Sequence, residues 1–509
     1  MSVTLSADPI TEHTRGVLTS LAWFEGKRLL KSPFLWLATA GSIAAAWAAL
    51  QSQYYTTLEW RSAALAGACL PLAAVALLMA NAAALRDRAA DEAEVTIHPP
   101  VSVDQRKLGL AMAAWAPALL SLLVIAVGLP LAILDEAGAG FVLPAEIAVG
   151  PLVVVLGHVT GVALGRWIRS HWAAAMTLVV LAGLFLIKDL LPGARVIPAA
   201  SPFLPWRAPY TEWVLGEGRE PVFHIIYLVA LIAALAALAA RAWRLLVVNG
   251  LTVAAAAFLL SGVPVGGSEV AASADRWQAS QPRVCEDHTG VRLCVMEGYE
   301  KWIPSWAAAL DRVDELVPVG LQVREIQYSL THPRFDGDPQ VAHTSGYWDP
   351  NEGFDLVYQL LAPELGIPGT AEEAVAFNEH LPECMARMRP VMMSGQARAI
   401  AFLILNEMAS PGSLTDRVGP IGGRDSGTVR NATIEVSSSE AALALQIADL
   451  PEDSVLSTLH PRWETVTDPS TTSETLAAWF GLPAPEVATT SEWDQMNCVC
   501  TDDGISCTG

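Results

Sequence analysis

Seven stretches of mostly apolar residues constrain this chain more than any other feature. A transmembrane helix needs roughly 20 such residues to cross about 30 Å of hydrocarbon. Lipid offers no partners to backbone polar groups, so stretches of this kind must be helical. The sequence therefore predicts a polytopic α-helical membrane protein. The seven predicted spans are Ser32–Leu50, Ser62–Leu85, Leu108–Leu134, Ala145–Gly165, Trp172–Ile187, Phe223–Ala240 and Leu245–Gly262.

The chain changes character after residue 265. Up to that point it holds 17 basic and 16 acidic residues, whereas the remainder holds 14 basic and 36 acidic residues. An acidic domain of this kind argues against a nucleic-acid partner. Four parts are predicted: an N-terminal segment (1–31), a six-helix membrane domain (32–240), a seventh membrane helix (241–265) and an acidic domain (266–509).

Basic residues indicate the orientation in the membrane. With a cytosolic N-terminus, the inner segments hold 12 Lys and Arg residues and the short outer loops hold 5, which fits the positive-inside rule. The prediction is a multi-pass protein of the plasma membrane whose acidic domain is extracytoplasmic. The segment "LTSLAWFEGKRLLKSP" predicts an interfacial amphipathic helix, and the alternative is a span with basic ends. The Pro-rich segment 188–221 predicts short interfacial or re-entrant helices.

A polar segment, "LRDRAADEAEVTIHPPVSVDQRK" (Leu85–Lys107), interrupts the apolar sequence between the second and third spans. It carries nine charged residues of both signs. The spacing predicts a mixed-charge helix that ends at Pro99 and Pro100. With Val95 and Ile97 as an apolar anchor, it suits a protein–protein contact. A solvated loop without a partner is the alternative.

The fourth span contains "GHVTGVALG". Its glycines recur every four residues, which predicts close approach of two helices at Gly157, Gly161 and Gly165. His158 is an intramembrane ionisable residue, which makes it a functional candidate. The alternative is a neutral imidazole bonded to a neighbouring helix.

This arrangement resembles the permease subunit of an ABC-2-type transporter. The shared features are an amphipathic N-terminal helix, six spans, a polar loop after the second span and a Pro-rich outer segment before the sixth. In the polar loop, Glu94 stands where the family has a Glu, and "HPPVS" stands where it has "LPVS". The additional span and outer domain resemble an actinobacterial type with an appended extracytoplasmic domain.

The resemblance implies an ATP-driven exporter that works as a homodimer in the lipid bilayer. Its polar loop would couple to a separate ABC ATPase subunit, which would bind ATP-Mg; this chain would bind no cofactor. The sequence has no G-x-x-x-x-G-K-[ST] motif of its own. The ATPase-coupling residues would be Arg86, Arg88, Asp91, Glu92, Glu94, His98, Pro100 and Arg106.

The acidic domain predicts a mainly helical α+β fold with a hairpin at "VCEDHTGVRLCV". Its sequence predicts a strand at 321–330 and helices at 299–318, 354–365, 370–409, 439–450 and 473–482. Its six cysteines are an even number, as expected for disulfides in an oxidising compartment. A metal site or a modified-peptide core is the alternative for "CVCTDDGISC", and the favoured expectation is no metal. The disulfide candidates are Cys285, Cys294, Cys384, Cys498, Cys500 and Cys507.

Catalytic motifs are missing from the acidic domain: neither H-E-x-x-H nor G-x-S-x-G occurs. The sequence therefore predicts no catalytic residues in this chain. The alternative function is a membrane-anchored sensor, binding or degenerate enzyme domain without transport.

Overall fold

The computed structural model divides the chain into two compact units. They are the helical unit (residues 1–273) and the acidic unit (residues 274–509). The structure describes residues 9–51, 57–93, 102–135, 138–168, 170–190, 221–261, 280–328, 340–344, 355–367, 391–411, 428–430, 434–487, 497–501 and 504–508.

All seven predicted spans are helical. The helical unit contains α1 (Pro9–Leu30), α2 (Pro33–Leu50), α3 (Leu58–Gly67), α4 (Leu70–Ala93), α5 (Val103–Met112), α6 (Trp115–Leu134), α7 (Pro144–Trp167), α8 (Trp172–Leu190), α9 (Pro221–Ala239) and α10 (Trp243–Ser261). By length and hydropathy, four segments of the described residues qualify as membrane spans: Pro33–Leu50, Leu58–Arg86, Val103–Leu134 and Pro144–Trp167. The architecture is compatible with a polytopic membrane protein, and the count of six plus one crossings stays a prediction.

The second and third spans each consist of two helices. The sequence predicts a second span from Ser62 to Leu85, but α3 already begins at Leu58 and the helix breaks before α4. Pro71 and Pro117 stand in the first turns of α4 and α6. Proline lacks an N–H and clashes with the preceding turn, so a continuous helix cannot pass through it without strain.

Helix α7 packs closely on α4 along its glycines at every fourth position. A Cβ at Gly157 would lie 2.6 Å from the Ala73 carbonyl oxygen, and one at Gly161 would lie 2.2 Å from the Leu77 carbonyl oxygen. At Gly165 it would lie 2.6 Å from the Ala84 Cβ. The two backbones meet where the sequence predicts a close approach, because only glycine leaves room for it.

Helices α9 and α10 form an antiparallel hairpin with a very short connection. Arg241 in that connection has a positive φ of 51°, a conformation that costs a non-glycine residue free energy. Its guanidinium lies 5.3 Å from the ring centroid of Trp167 at the end of α7. The Trp167 Nε1–H donates to the Leu238 carbonyl oxygen at 3.1 Å, so the turn is held against α7.

Among its described residues, the acidic unit combines helices with three small sheets. Its helices are α11 (Ile303–Leu316), α12 (Asp355–Glu364), α13 (Ala397–Ala409), α14 (Ser438–Ala448), α15 (Glu452–Leu459), α16 (Trp463–Thr467) and α17 (Ser473–Trp479). Its strands are β1 (Arg283–His288), β2 (Val291–Met296), β3 (Glu325–Tyr328), β4 (Val341–Thr344), β5 (Val391–Met392), β6 (Thr428–Arg430), β7 (Ile434–Ser437), β8 (Asn497–Thr501) and β9 (Gly504–Thr508). The strand orders are β1-β2-β3-β4, β5-β7-β6 and β8-β9.

The predicted hairpin at the start of this unit is confirmed. Strands β1 and β2 pair antiparallel, with Cys285 opposite Cys294, and the two cysteines form a disulfide. Thr289 and Gly290 make the turn with φ angles of 48° and 87°, as a two-residue hairpin turn of the primed type requires. Behind the sheet lies a buried aromatic cluster of Tyr299, Trp302, Trp306 and Tyr328.

One helix prediction in the acidic unit is wrong in part. The sequence predicts helix from residue 370 to residue 409, but β5 and a turn at Ser394–Gly395 occupy residues 391–395, and α13 begins only at Ala397. Gly395 has a φ of 90°, which no helix continues through. Residues 368–390, including Cys384, lie outside the described residues.

Candidate functional site

The two described ends of the polar segment between the second and third spans lie at the same end of the bundle. Helix α4 carries its first part as far as Ala93, and α5 begins at Val103. Ser102 caps α5: its Oγ accepts from the Gln105 N–H at 3.2 Å, and Gln105 Oε1 accepts from the Ser102 N–H at 3.0 Å. This reciprocal capping fixes where the chain turns back into the bundle.

A buried lysine links the two ends of the polar segment. Lys107 is 1% exposed, and its Nζ donates to the Ala84 carbonyl oxygen on α4 at 2.9 Å. Lysine is almost never fully buried without a partner, so this bond is a specific link between α4 and α5. Ala84 immediately precedes the segment and Lys107 is its last residue. The two ends of the segment are therefore joined to each other.

Two ion pairs tie the same segment to other helices. Asp104 accepts from Arg166 near the end of α7, with 2.7 Å between Oδ1 and Nη2. Arg86 on α4 lies 3.4 Å from Glu25 on α1. The Arg166 side chain is 14% exposed and the Arg86 side chain 47%. The partner side chains Asp104 and Glu25 are 47% and 17% exposed, so the two pairs are similarly shielded from water. The bond to α7 is the shorter one, which makes it the stronger of the two.

Helix α1 packs on α5 and α6 through a tryptophan pair and small residues beside it. Trp115 stacks on Trp23 with 4.9 Å between ring centroids, and its Nε1–H donates to the Ala22 carbonyl oxygen at 3.1 Å. A Cβ at Gly26 would lie 2.3 Å from the Trp115 ring, so only glycine fits there. The face of α1 that is exposed carries Trp23, Phe24, Lys27 and Arg28. Aromatic and basic residues together suit a membrane interface.

The predicted coupling residues fall into three groups. Arg86 is exposed and lies beside Glu25; Arg106 is half-buried in the first turn of α5. Arg88, Asp91 and Glu92 lie in the last turns of α4, where the structure describes the backbone only. Glu94, His98 and Pro100 lie outside the described residues altogether.

Sequence reasoning missed the residues that hold the segment in place. Asp104 and Arg166 are 62 positions apart, and nothing in the sequence shows that α5 and α7 are neighbours. The available signal was the basic pair of Arg166 and Arg169 at the end of an apolar stretch, which marks only a membrane boundary. Burial of Lys107 gave no signal at all, because it stands at the edge of a charged run.

Two further buried polar groups lie close to this end of the bundle. The His158 Nε2 lies 2.9 Å from the Leu110 carbonyl oxygen on α5, which fits an imidazole bonded to a neighbouring helix. Asn81 is 1% exposed and touches the Gly165 position. Across the described residues, no three His, Cys, Asp or Glu side chains form a group that could hold a metal ion.

A second polar network lies at the opposite end of the bundle. There Arg61 on α3 pairs with Asp135 after α6, and its Nη1 also donates to the Ala132 carbonyl oxygen at 2.9 Å. The Glu59 carboxylate accepts from the Phe141 N–H at 2.5 Å. These contacts bind the connection between α6 and α7 to the start of α3.

In comparisons with family models, curated proteins and solved structures, nothing matches this chain.

Proposed function

We propose that this chain is the membrane-spanning subunit of an ATP-driven exporter of the ABC-2 type. A separate ATPase would act on the polar segment Leu85–Lys107, and the helices attached to that segment would carry the movement into the bundle. The ATPase would bind ATP-Mg, and two copies of this chain would assemble with it in the lipid bilayer.

The observation that carries the proposal is the attachment of the polar segment. The Lys107–Ala84 bond joins its ends, the Asp104–Arg166 pair joins it to α7, and the Arg86–Glu25 pair joins it to α1. The bonded residues lie in α4 and α5, next to the loop, and the buried ammonium of Lys107 depends on its protein partner rather than on water. A loop that receives force needs such bonds, because a displacement passes only through contacts that hold under load.

Attachment to α7 gives the displacement a route into the membrane. Helix α7 packs tightly on α4 along its glycines, so α4, α5 and α7 form one connected group at this end. Packed helices move as rigid elements rather than deforming continuously. A push on the segment would therefore shift α7 and α4 together relative to the remaining helices.

The first experiment tests the contact itself. The chain is co-expressed and purified with candidate ABC ATPases, and Arg86 and Arg88 are changed to Ala in one variant and Glu94 to Gln in another. We expect co-purification to fall several-fold in each. The matched control changes Lys31 and Arg244 to Ala, which removes two exposed basic residues elsewhere on the same predicted side. If no ATPase co-purifies, or if all variants behave like the control, the exporter proposal fails.

The second experiment separates binding from coupling. Arg166→Met breaks the link to α7 without touching the exposed surface of the segment. We expect the ATPase to remain bound while its hydrolysis is no longer stimulated by the chain. A membrane-anchored sensor or binding domain, the alternative function, would show no stimulation in the unaltered chain either. Equal stimulation by the unaltered chain and the Arg166→Met variant would contradict the proposed route.

A further inference from the structure

The last strands of the chain repeat the geometry of the hairpin that starts the acidic unit. Strands β8 and β9 pair antiparallel, and the register places Cys498 directly opposite Cys507. In the first hairpin, Cys285 stands opposite Cys294 in the same way. Both pairs are separated by 9 positions along the chain. Each hairpin also has a connection of two residues between its arms.

The position of the pair within the ladder is also the same. In an antiparallel ladder, hydrogen-bonded and non-hydrogen-bonded pairs alternate, and Cα atoms are closer in the second kind, about 4.5 Å against about 5.5 Å. The Cys285–Cys294 pair has a Cα–Cα distance of 4.2 Å, so it is of the close kind. Cys498–Cys507 lies the same number of pairs from its turn. By the alternation, it is of the close kind too.

We propose that Cys498 and Cys507 form a second cross-strand disulfide, which closes the C-terminal hairpin covalently. The distance class of this pair is the one at which the first hairpin already holds a disulfide. The other cysteine of β8 that could bond to Cys507 is Cys500. It occupies the same kind of ladder position as Cys498 but stands opposite Ile505. A bond from Cys500 to Cys507 would have to run diagonally, where Cα atoms are about 7 Å apart or more.

The chemistry is an oxidation of two thiols. Two S–H bonds break and one S–S bond forms, releasing two protons and two electrons. The electrons pass by thiol–disulfide exchange to an oxidised disulfide oxidoreductase of the extracytoplasmic compartment, which is reduced to its dithiol. The inference therefore rests on the proposed placement of the acidic unit outside. It assigns four of the six cysteines of this unit and leaves Cys384 and Cys500.

Peptide mapping of the full chain tests the pairing. The protein is purified from membranes with free thiols blocked, cleaved before aspartate and analysed without reduction. Cleavage at Asp502 and Asp503 separates Cys507 from Cys498. We expect a linked pair of peptides in more than nine-tenths of the molecules, and fragmentation at Val499 to assign the bond to Cys498. The Cys500→Ser variant should keep the linkage and the Cys498→Ser variant should lose it.

The disulfide of the first hairpin is the internal control. If Cys285–Cys294 is found and Cys498–Cys507 is not, this inference is overturned and the placement outside stands. Free or metal-bound thiols at all three cysteines of the last strands would overturn the pairing in the same way. If neither disulfide is found, the placement outside is contradicted; the map is then repeated after oxidation with glutathione disulfide, and a bond from Cys500 would again overturn the pairing.

Discussion

Gly161 on α7 leaves no space for a side chain, because the Leu77 carbonyl oxygen would lie 2.2 Å from its Cβ. Gly161→Ala must therefore push α7 away from α4 or bend one of them. We expect a destabilisation of about 1–3 kcal/mol, typical of overpacked cores. Thermal unfolding of the protein in detergent would measure it.

A matched variant distinguishes helix packing from helix propensity. Gly41 on α2 has no atom within 4 Å of its Cβ position, so Gly41→Ala should be neutral or stabilise by up to about 1 kcal/mol. Equal effects of the two variants would show that the close approach at Gly161 does not contribute to stability.

Glu440 is a fully buried carboxylate that joins three parts of the acidic unit. Its oxygens accept from the Gly395 N–H at 2.5 Å, from the Ser437 N–H at 2.9 Å and from the Ser394 hydroxyl. Glu440→Ala would remove the acceptor of the buried Ser437 N–H and of the half-buried Gly395 N–H, at a cost of about 2 kcal/mol. Hydrogen exchange over residues 391–396 should rise. Glu474→Ala, at an exposed first-turn position of α17, should change stability by less than about 0.5 kcal/mol.

At the residue scale, the sequence predicts what depends on short spacing. Glycines at every fourth position predict a close contact because a helix places them on one face. The sequence does not predict which helix they meet, nor that Lys107 is buried against Ala84. Such contacts depend on which helices become neighbours, and that is settled by packing of the whole bundle.

At the scale of helices and strands, one arginine side chain links α11 to α15. Both Nη atoms of Arg312 lie 2.8 Å from the Glu452 carboxylate, and Nη2 also donates to the Met408 carbonyl oxygen at 3.0 Å. The hydrogen bonds and charge of Arg312 lower the pKa of Glu452 below its usual value. The folded state thus favours the ionised carboxylate. Its contribution is fully present above the unfolded pKa of about 4.3 and is lost as the pH falls through the lower folded pKa.

Arg312→Met should therefore loosen α15 in a pH-dependent manner. At pH 7 we expect a loss of roughly 1 kcal/mol, since the pair is partly exposed, with faster hydrogen exchange over residues 452–459. The difference from the unaltered chain should shrink as the pH is lowered below 4. Glu315→Gln, which removes only a 3.4 Å contact to the same arginine, should have a smaller effect. A difference that is constant with pH would contradict the role of the ion pair.

Elements with strong periodicity were predictable and the weakly patterned ones were not. The apolar spans, the β1–β2 hairpin, α11 and α14 follow from runs of suitable length and spacing. The helix prediction failed across Val391–Met392 because an apolar pair between helical runs carries no period of its own. The hairpin β8–β9 was also missed, since only Val499, Thr501, Ile505 and Thr508 among its strand residues are usual strand formers.

For the whole molecule, the proposed crossing of the membrane by α10 would set the side on which the acidic unit emerges. Helices α9 and α10 are antiparallel, so a reporter fused after Ala242 and one fused after Gly509 should lie on opposite sides. We expect an extracytoplasmic reporter enzyme to be active only in the second fusion. Activity in both would show that α10 does not cross. Activity in the first alone would reverse the orientation of the chain.

Hydropathy and basic residues predict a membrane protein with a water-compatible domain, and the structure divides the chain into two compact units after residue 273. Hydropathy and basic residues do not fix the number of membrane crossings, because α8, α9 and α10 have shorter apolar windows among the described residues. Function depends on partners that meet the polar segment, and no single chain records their surfaces. The structure adds to the sequence prediction the attachment of that segment through Lys107, Asp104 and Arg86.

The buried Lys107 has a consequence for how the protein is made. Synthesis proceeds from the N-terminus, so α4 leaves the ribosome before α5. In the proposed membrane protein, the Ala84 carbonyl would therefore be available when the ammonium of Lys107 loses its water. A rearranged gene that encodes α5 ahead of α4 would present the same charge before its acceptor exists. We therefore expect the order of the two helices in the reading frame to affect how efficiently this bundle assembles.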